Sequence, residues 1–225
     1  MKQIRVIESE AAAPVDARAG ELLYTRIRER ILSGDYAPGT ALAQDSIATE
    51  FGVGRIPVRE ALVRLRAEGL IDIEAQRGFR VRPLLAAEVD EVFRLRMALE
   101  PVAVGEGAKL AKARDHIGAR EALRALSAAL AASALNDIGN LNSAFHLALI
   151  LPHRQPMTCE ILTRLHTQSQ RYVRMHLLPV GRVRRATSEH NALYEAWATG
   201  DSREASLLTA QHIEETRDEL AQLLA

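Results

Sequence analysis

The sequence predicts a mainly α-helical protein in two parts, a small three-helix unit closed by a β-hairpin and a larger antiparallel bundle of six helices. Three observations lead to this prediction. Hydrophobic residues make up 48% of the chain and aromatic residues only 4%, and the apolar content is mostly alanine and leucine, which favours helices packed on helices. Strand-like alternation occurs at residues 70–82, and from residue 87 onward the apolar spacing is helical.

The chain of 225 residues is long enough for two modest domains. Residues 1–20 show little periodicity, and we expect them to form a disordered arm. A first domain then covers residues 21–84 and a second covers residues 85–225. The first domain opens with helical spacing at residues 22–33, which Gly34 ends.

Residues 42–70 have the layout of a helix-turn-helix. A helix that begins near Gln44 is broken by Gly52 and Gly54, as a turn between helices requires. A second helix follows from about Pro57, because proline is well placed at a first helical position. In this layout the second helix enters the DNA major groove by its N-terminal residues. The residues that we expect to face DNA there are Arg55, Ile56 and Arg59.

Two alternating segments after this helix predict a β-hairpin of the winged-helix type. Residues 70–74 and 79–82 alternate like strands, and the turn between them places Arg77 and Gly78 at the tip. From Arg55 to Arg82 there are seven arginines and four acids, a local excess of +3 in a chain whose formal charge is zero. The order of turn, arginine-led helix and wing predicts nucleic-acid binding. The alternative is a small helical domain with an ordinary solvated face.

The second domain reads as helices joined by short connections, which predicts an antiparallel bundle. Pro101 lies inside the first of these helices and implies a kink or a local break. The six predicted helices cover residues 88–111, 118–132, 137–150, 157–178, 183–199, and from Asp201 or Ser202 to the C-terminus.

The bundle contains all seven histidines, and three of them lie mid-helix on or beside an apolar stripe: His146, His190 and His212. Asn142 precedes His146 by one helical turn. Neutral imidazoles that project inward from three helices could bind a divalent cation. The alternative for each is a core or surface histidine with a hydrogen-bond partner, which is the commoner case.

Arg96 is the second candidate for a binding role in the bundle. A guanidinium directed into a closed apolar bundle needs an anionic partner, and a bidentate carboxylate fits it best. That partner is either the carboxylate of a ligand or an internal acid such as Glu100, one turn further along the helix.

Residues 23–84 resemble the winged-helix domain of the GntR transcription regulators. The match rests on residues 27–39 (IRERILSGDYAPG), 54–62 (GRIPVREAL) and 65–70 (LRAEGL). Asp45 stands where the family usually has a basic residue, and Gly54 replaces the usual small hydroxyl residue. The resemblance implies a homodimer that binds a short palindromic operator in double-stranded DNA, most members being repressors relieved by their ligand.

Residues 90–225 resemble the FCD ligand-binding domain of the FadR subfamily, through RMALE at 96–100, NSAFH at 142–146, and Glu189-His190 followed by His212. The resemblance implies that Arg96 holds the acid group of a small carboxylic-acid effector. Metal-binding members use an aspartate and three histidines. The ligands to zinc or nickel here would be Asn142, His146, His190 and His212. A neutral amide at the first position leaves the site one unit more positive.

Two other classes of function stay open at this point. One is a metalloenzyme, although no candidate general base accompanies the three histidines and an enzyme would not need a winged helix. The other is a DNA-binding dimer with no effector, which the replacement at Asn142 keeps open. Cys159 is the single cysteine, so an internal disulfide is excluded. No apolar run has membrane-spanning length, and we expect a cytoplasmic protein with no membrane partner.

Overall fold

The structure is a computed structural model that describes residues 15–74, 78–132, 137–177 and 182–224, and the description below refers to these ranges. The N-terminal domain contains α1 (Val15–Ser33), β1 (Ala41–Leu42), α2 (Gln44–Phe51), α3 (Arg55–Ala67), β2 (Ile71–Glu74) and β3 (Gly78–Val81). The strands form an antiparallel sheet in the order β1-β3-β2, with Ile71 opposite Val81 and Glu74 opposite Gly78. A winged helix-turn-helix is therefore confirmed, and β1 extends the predicted hairpin.

Two helix starts in the N-terminal domain differ from the prediction. Helix α1 begins at Val15, so residues 15–20 of the expected disordered arm are helical, and residues 1–14 lie outside the described residues. Ala17 and Ala19 favour a helix there, and the lone Gly20 costs only about 1 kcal/mol relative to alanine. Helix α3 begins at Arg55. Pro57 is therefore its third residue, where a backbone N–H would also lack an intrahelical acceptor.

The turn between α2 and α3 follows from glycine chemistry. Gly52 ends α2 with a left-handed backbone conformation, φ 64°, which a residue with a Cβ rarely adopts. Beyond the turn, α3 buries four apolar side chains in the core of the domain: Val58, Ala61, Leu62 and Leu65. The burial of these residues fixes which face of α3 remains exposed to a partner.

The C-terminal domain is the predicted bundle of six α-helices. They are α4 (Ala86–Leu110), α5 (Ala113–Ala131), α6 (Ile138–Ile150), α7 (Pro156–Leu177), α8 (Arg182–Ala198) and α9 (Ser202–Leu224), with a 3₁₀ turn at Leu151–His153. Of the two effects expected of Pro101, the local break is absent, since α4 is continuous through it. The Ser206 hydroxyl of α9 donates to the Pro101 carbonyl at 2.7 Å and so ties the two helices together at this point.

Close backbone contacts fix α6 against α4 and α8. The Trp197 indole N–H donates to the Leu149 carbonyl at 3.1 Å. Gly107 of α4 lies against the same carbonyl, which a Cβ at this position would approach to 2.2 Å. Only glycine permits this approach, and α6 is thereby held in a defined position. None of the described helices combines the length and the apolar character that crossing a bilayer requires.

Arg28 of α1 joins the two domains. Its guanidinium donates to Glu68 at 3.1 Å, to the Asn140 side-chain carbonyl at 3.0 Å and to the Gln170 side-chain carbonyl at 3.1 Å. Glu68 follows α3, whereas Asn140 and Gln170 belong to α6 and α7. One side chain therefore connects the N-terminal domain to two helices of the bundle.

Candidate metal centre and nucleic-acid surface

Three histidines from three helices converge in the centre of the bundle. His146 of α6, His190 of α8 and His212 of α9 have ring centroids 4.8 to 5.5 Å apart. One ring nitrogen from each lies within 4.8 Å of the others. The helical spacing predicts that each of these side chains points inward, and the structure brings all three together.

The donor set of this cluster fits a divalent transition metal. Burial lowers the pKa of His146 to about 3. Burial, with a smaller effect of neighbouring histidines, lowers the pKa of His190 well below its ordinary value. Both rings are therefore neutral at pH 7 and offer lone pairs, which zinc and nickel accept from imidazole. Neither ring nitrogen of His190 has a hydrogen-bond partner among the described residues, and a bound cation would satisfy one of them.

A carboxylate orients the third histidine. Glu189 Oε2 lies 2.8 Å from His212 Nδ1, and the other carboxylate oxygen accepts from Arg185 Nε at 2.8 Å. Burial alone would raise the pKa of Glu189, but the contacts with His212 and Arg185 lower it overall. An ionised Glu189 accepts a hydrogen bond from Nδ1–H, so the lone pair of His212 belongs to Nε2. This carboxylate–histidine pair is typical of metal centres.

A small cavity adjoins the histidines. Its volume is about 20 Å³, and Asn142, Arg96, His190 and His212 contribute to its lining. Asn142 is buried and lies one turn before His146 on α6, as expected. The volume accommodates a single water molecule or ion, since about 10–15 Å³ is the minimum for a water. A metabolite does not fit unless the lining helices move apart.

Arg96 has an internal anionic partner. Its Nε and Nη2 atoms donate to the two Glu100 carboxylate oxygens at 2.8 and 3.2 Å, and Nη1 donates to the Ser169 hydroxyl at 3.4 Å. The side chains of Arg96 and Glu100 are 3% and 0% exposed. Of the two partners considered from the sequence, the internal acid is the one present. An effector carboxylate would have to share or displace these contacts.

Glu100 also contacts two histidines, one of which sequence reasoning missed. Glu100 lies 3.1 Å from His146 Nδ1 and 3.2 Å from His166 Nε2. Burial alone would raise its pKa, but Arg96 and these histidines bring the pKa of Glu100 well below its ordinary value. His166 is fully buried, as its spacing from Leu162 on the apolar face of α7 indicates. Because Arg96 occupies both carboxylate oxygens, a cation is favoured at His146, His190 and His212 instead.

The expected DNA-contacting residues of α3 lie at its exposed beginning. Arg55, Ile56 and Arg59 all point away from the domain core, and Ile56 is 75% exposed. Arg59 has no ion pair or hydrogen bond within the described ranges. Gly78 begins β3 at the wing, with φ 82°, and Arg77 lies outside the described residues.

Sequence reasoning missed one contact on this surface. Asp45, in the first turn of α2, forms an ion pair with Arg55, the first residue of α3. Arg55 Nη2 donates to Asp45 Oδ2 at 2.6 Å, and Arg55 Nε contacts the other carboxylate oxygen. The sequence offered one signal for this contact, because Asp45 is an acid at a position where the GntR regulators usually have a basic residue.

Two family models match the chain. The model of the FCD domain matches residues 91–215, more than half of the chain, and the model described as bacterial regulatory proteins, gntR family, matches residues 20–81. These matched ranges correspond to the helical bundle and the winged helix.

Curated relatives are regulators too. The uncharacterised HTH-type regulator YdhC of Bacillus subtilis is 36% identical over 81 residues, which cover 36% of each chain. The uncharacterised HTH-type regulator BphR of Paraburkholderia xenovorans is 29% identical over 201 residues, covering 86% of this chain and 82% of BphR. The transcriptional repressor RspR of Escherichia coli is 25% identical over 201 residues, covering 89% of this chain and 88% of RspR.

A solved structure shares the fold. That of McbR/YncC from E. coli superposes with a TM-score of 0.78 at 22% identity, over 92% of this chain and 99% of the other. The relatives are transcription regulators and not enzymes, which removes the metalloenzyme alternative. The chain belongs to the GntR family of DNA-binding transcription regulators and carries an FCD domain after its winged helix.

Proposed function

We propose that this regulator is a homodimeric repressor and that a small carboxylic-acid effector, bound at a divalent metal in the FCD domain, relieves repression. The observation that carries the proposal is the convergence of His146, His190 and His212 beside a cavity that Arg96 also lines. The sign of control follows the family resemblance and a relative named a transcriptional repressor.

In this proposal the histidines and Asn142 bind the metal, and the metal and Arg96 bind the effector. His146, His190 and His212 hold zinc or nickel through one nitrogen each, and the Asn142 amide oxygen is a weaker fourth ligand. The ion, when bound, would attract and coordinate a carboxylate group of the effector. Because all four of these protein ligands are neutral, an anionic effector is favoured more strongly here than at a site with an aspartate. Arg96 also lines the cavity, and an effector carboxylate would share or displace its contacts with Glu100.

The size of the cavity links effector binding to a change in the bundle. A cavity of about 20 Å³ accepts an effector only if one of its lining helices, α4, α6, α7, α8 or α9, shifts. Helix α6 carries Asn142 at the cavity, His146 in the histidine cluster and Asn140 at the contact with Arg28. A shift of α6 therefore changes the seating of the winged helix. An effector that binds one arrangement more tightly than the other shifts the equilibrium between them. This difference in binding free energy drives the switch.

Dimerisation sets the spacing of the two recognition helices. A twofold dimer places two copies of α3 in the major groove of a short palindromic operator, with the wings at the backbone or minor groove. The exposed apolar side chains of Leu95 and Val102 on α4 support a dimer, with the exposed Ala98 between them. Their spacing of three and four residues places them on one helix face.

Elemental analysis tests the metal site. Full-length protein purified without a chelator and without a histidine tag should contain close to one equivalent of a divalent ion per chain. A variant with His153→Gln, a bundle histidine outside the cavity, should keep the metal. If zinc and nickel both fail to bind even when added, the proposed site is wrong and the bundle serves dimerisation.

A panel of mono-, di- and tricarboxylic acids should raise the melting temperature of the metal-loaded protein.

Arg59→Ala should weaken binding to a selected operator duplex by about 1–3 kcal/mol, because an arginine at this position of α3 donates to a base edge. Fluorescence anisotropy with a labelled duplex measures the change. Arg124→Ala, which removes an exposed arginine of α5, is the matched control and should bind as the wild type does. Unchanged affinity of Arg59→Ala would exclude this residue from the DNA contacts.

A further inference from the structure

The ion pair of Asp45 with Arg55 lies on the surface that faces DNA. Two contacts run side by side, Nη2 to Oδ2 at 2.6 Å and Nε to Oδ1, so the pairing is bidentate. The side chains of Arg55 and Asp45 are 72% and 64% exposed. The pair joins the first turn of α2 to the first residue of α3 across the turn.

Stability of the fold does not account for this pair. An exposed ion pair contributes only about 0–1 kcal/mol. Arg55 also stands at the N-terminal end of α3, where the helix dipole disfavours a positive charge. Asp45 offsets that unfavourable placement. What the pair fixes is the direction of one guanidinium at the beginning of the recognition helix.

The pairing leaves part of the guanidinium free to donate. Of the five N–H donors of arginine, Asp45 takes one at Nε and one at Nη2. The remaining donors on Nη1 and Nη2 form the end of the fork. That end can donate to O6 and N7 of a guanine in the major groove. A side chain already held in place loses less conformational entropy when it binds.

The carboxylate also changes binding to DNA of any sequence. Binding without sequence preference depends on attraction between cationic side chains and phosphates, and an acid at the interface opposes it. We propose that Asp45 is a specificity-determining positioning residue, which holds Arg55 for recognition of a guanine and lowers affinity for non-target DNA. This inference rests on the proposed placement of α3 in the major groove.

Selection from a pool of randomised DNA duplexes with the full-length protein tests the inference. The wild type should select guanine at one position of each half-site. Arg55→Ala and Asp45→Asn should both lose that preference, and the other selected positions should stay. Arg55→Lys should lose it as well, since lysine keeps the charge but has no planar fork.

A second measurement uses one fixed duplex that lacks the selected site. Asp45→Asn should bind it about 3- to 10-fold more tightly, with a steeper dependence on salt, because a repulsive charge is removed. Glu91→Gln, which removes an exposed carboxylate of α4 far along the chain, is the control and should change neither readout. Melting temperatures close to that of the wild type should verify that the variants fold.

The outcomes separate this inference from the proposed function. If Arg55→Ala loses a guanine that Asp45→Asn still selects, the positioning role of Asp45 is wrong and repression through α3 stands. If the wild type selects no sequence at all, the proposed placement of α3 fails and the inference fails with it. Loss of the same guanine in both variants supports the inference.

Discussion

His190→Ala should lower the affinity for zinc or nickel by more than about 100-fold and abolish the response to carboxylic acids. Loss of a group that only hydrogen-bonds to a metal ligand already costs about 10- to 100-fold in metal affinity, and His190 is itself a proposed ligand. The apo protein should bind operator DNA almost as the wild type does, because His190 lies inside the bundle on α8 and not on the recognition helix α3. Competition against a chromophoric chelator measures the metal affinity.

The matched control for this variant is His153→Ala, which removes a histidine from the 3₁₀ turn and should retain the metal. His190 packs edge-on against Phe145 with ring centroids 5.2 Å apart, so a purely structural role is a real competitor. If His190→Ala loses DNA binding together with metal, the histidine is structural. Retention of wild-type metal affinity would remove His190 from the ligand set.

Glu100→Gln should lower the free energy of unfolding by about 3–5 kcal/mol. Stability should fall because the change leaves Arg96 as a buried charge without an anionic partner. Urea denaturation of the full-length protein measures the loss. The proposed metal site should weaken too, because Glu100 orients His146 through its Nδ1 atom.

The same helix supplies a control with the same spacing. Asp90 and Arg94 form an ion pair four residues apart on α4, at 3.0 Å, and their side chains are 46% and 71% exposed. Asp90→Asn should cost only a few tenths of a kcal/mol at this exposure. Equal losses for Asp90→Asn and Glu100→Gln would show that burial of the Arg96 pair has no energetic role.

Acid should remove the contribution of Glu100. Its folded-state pKa lies well below the ordinary value of 4.5, so the stabilisation is complete above about pH 4.5 and is lost as the pH falls toward the folded-state pKa. The difference in stability between the wild type and Glu100→Gln should therefore shrink below that pH. A constant difference down to the acid transition would contradict an ionised Glu100.

Local rules were sufficient for much of the fold and for the inward direction of the three histidines. Gly52 stops α2 because of its backbone freedom, and helical spacing predicts an inward direction for His146, His190 and His212. The two-residue β1 is too short to show alternation. The start of α3 at Arg55 was missed because proline is tolerated at the third position of a helix as well as the first.

Contacts between helices could not be predicted in the same way. Glu100 on α4 meets His166 on α7 because of the relative rotation and height of two helices distant in sequence. The pairing of Asp45 with Arg55 depends on the geometry of the turn between α2 and α3. The sequence contains the residues in both cases but not the register that joins them. For the same reason the volume of the cavity had no signal in the sequence.

The contacts of Arg28 restrict how this regulator can be recombined with other sensors. In a domain exchange, the DNA-binding domain of one such regulator is fused to the helical bundle of another. Here the winged helix is anchored through amide side chains of Asn140 and Gln170, which belong to the bundle. A chimera that keeps Arg28 but lacks these two acceptors would lose two of the contacts that hold the winged helix against the bundle. Whether the two domains are compatible therefore depends on residues of the bundle as much as on residues of the winged helix.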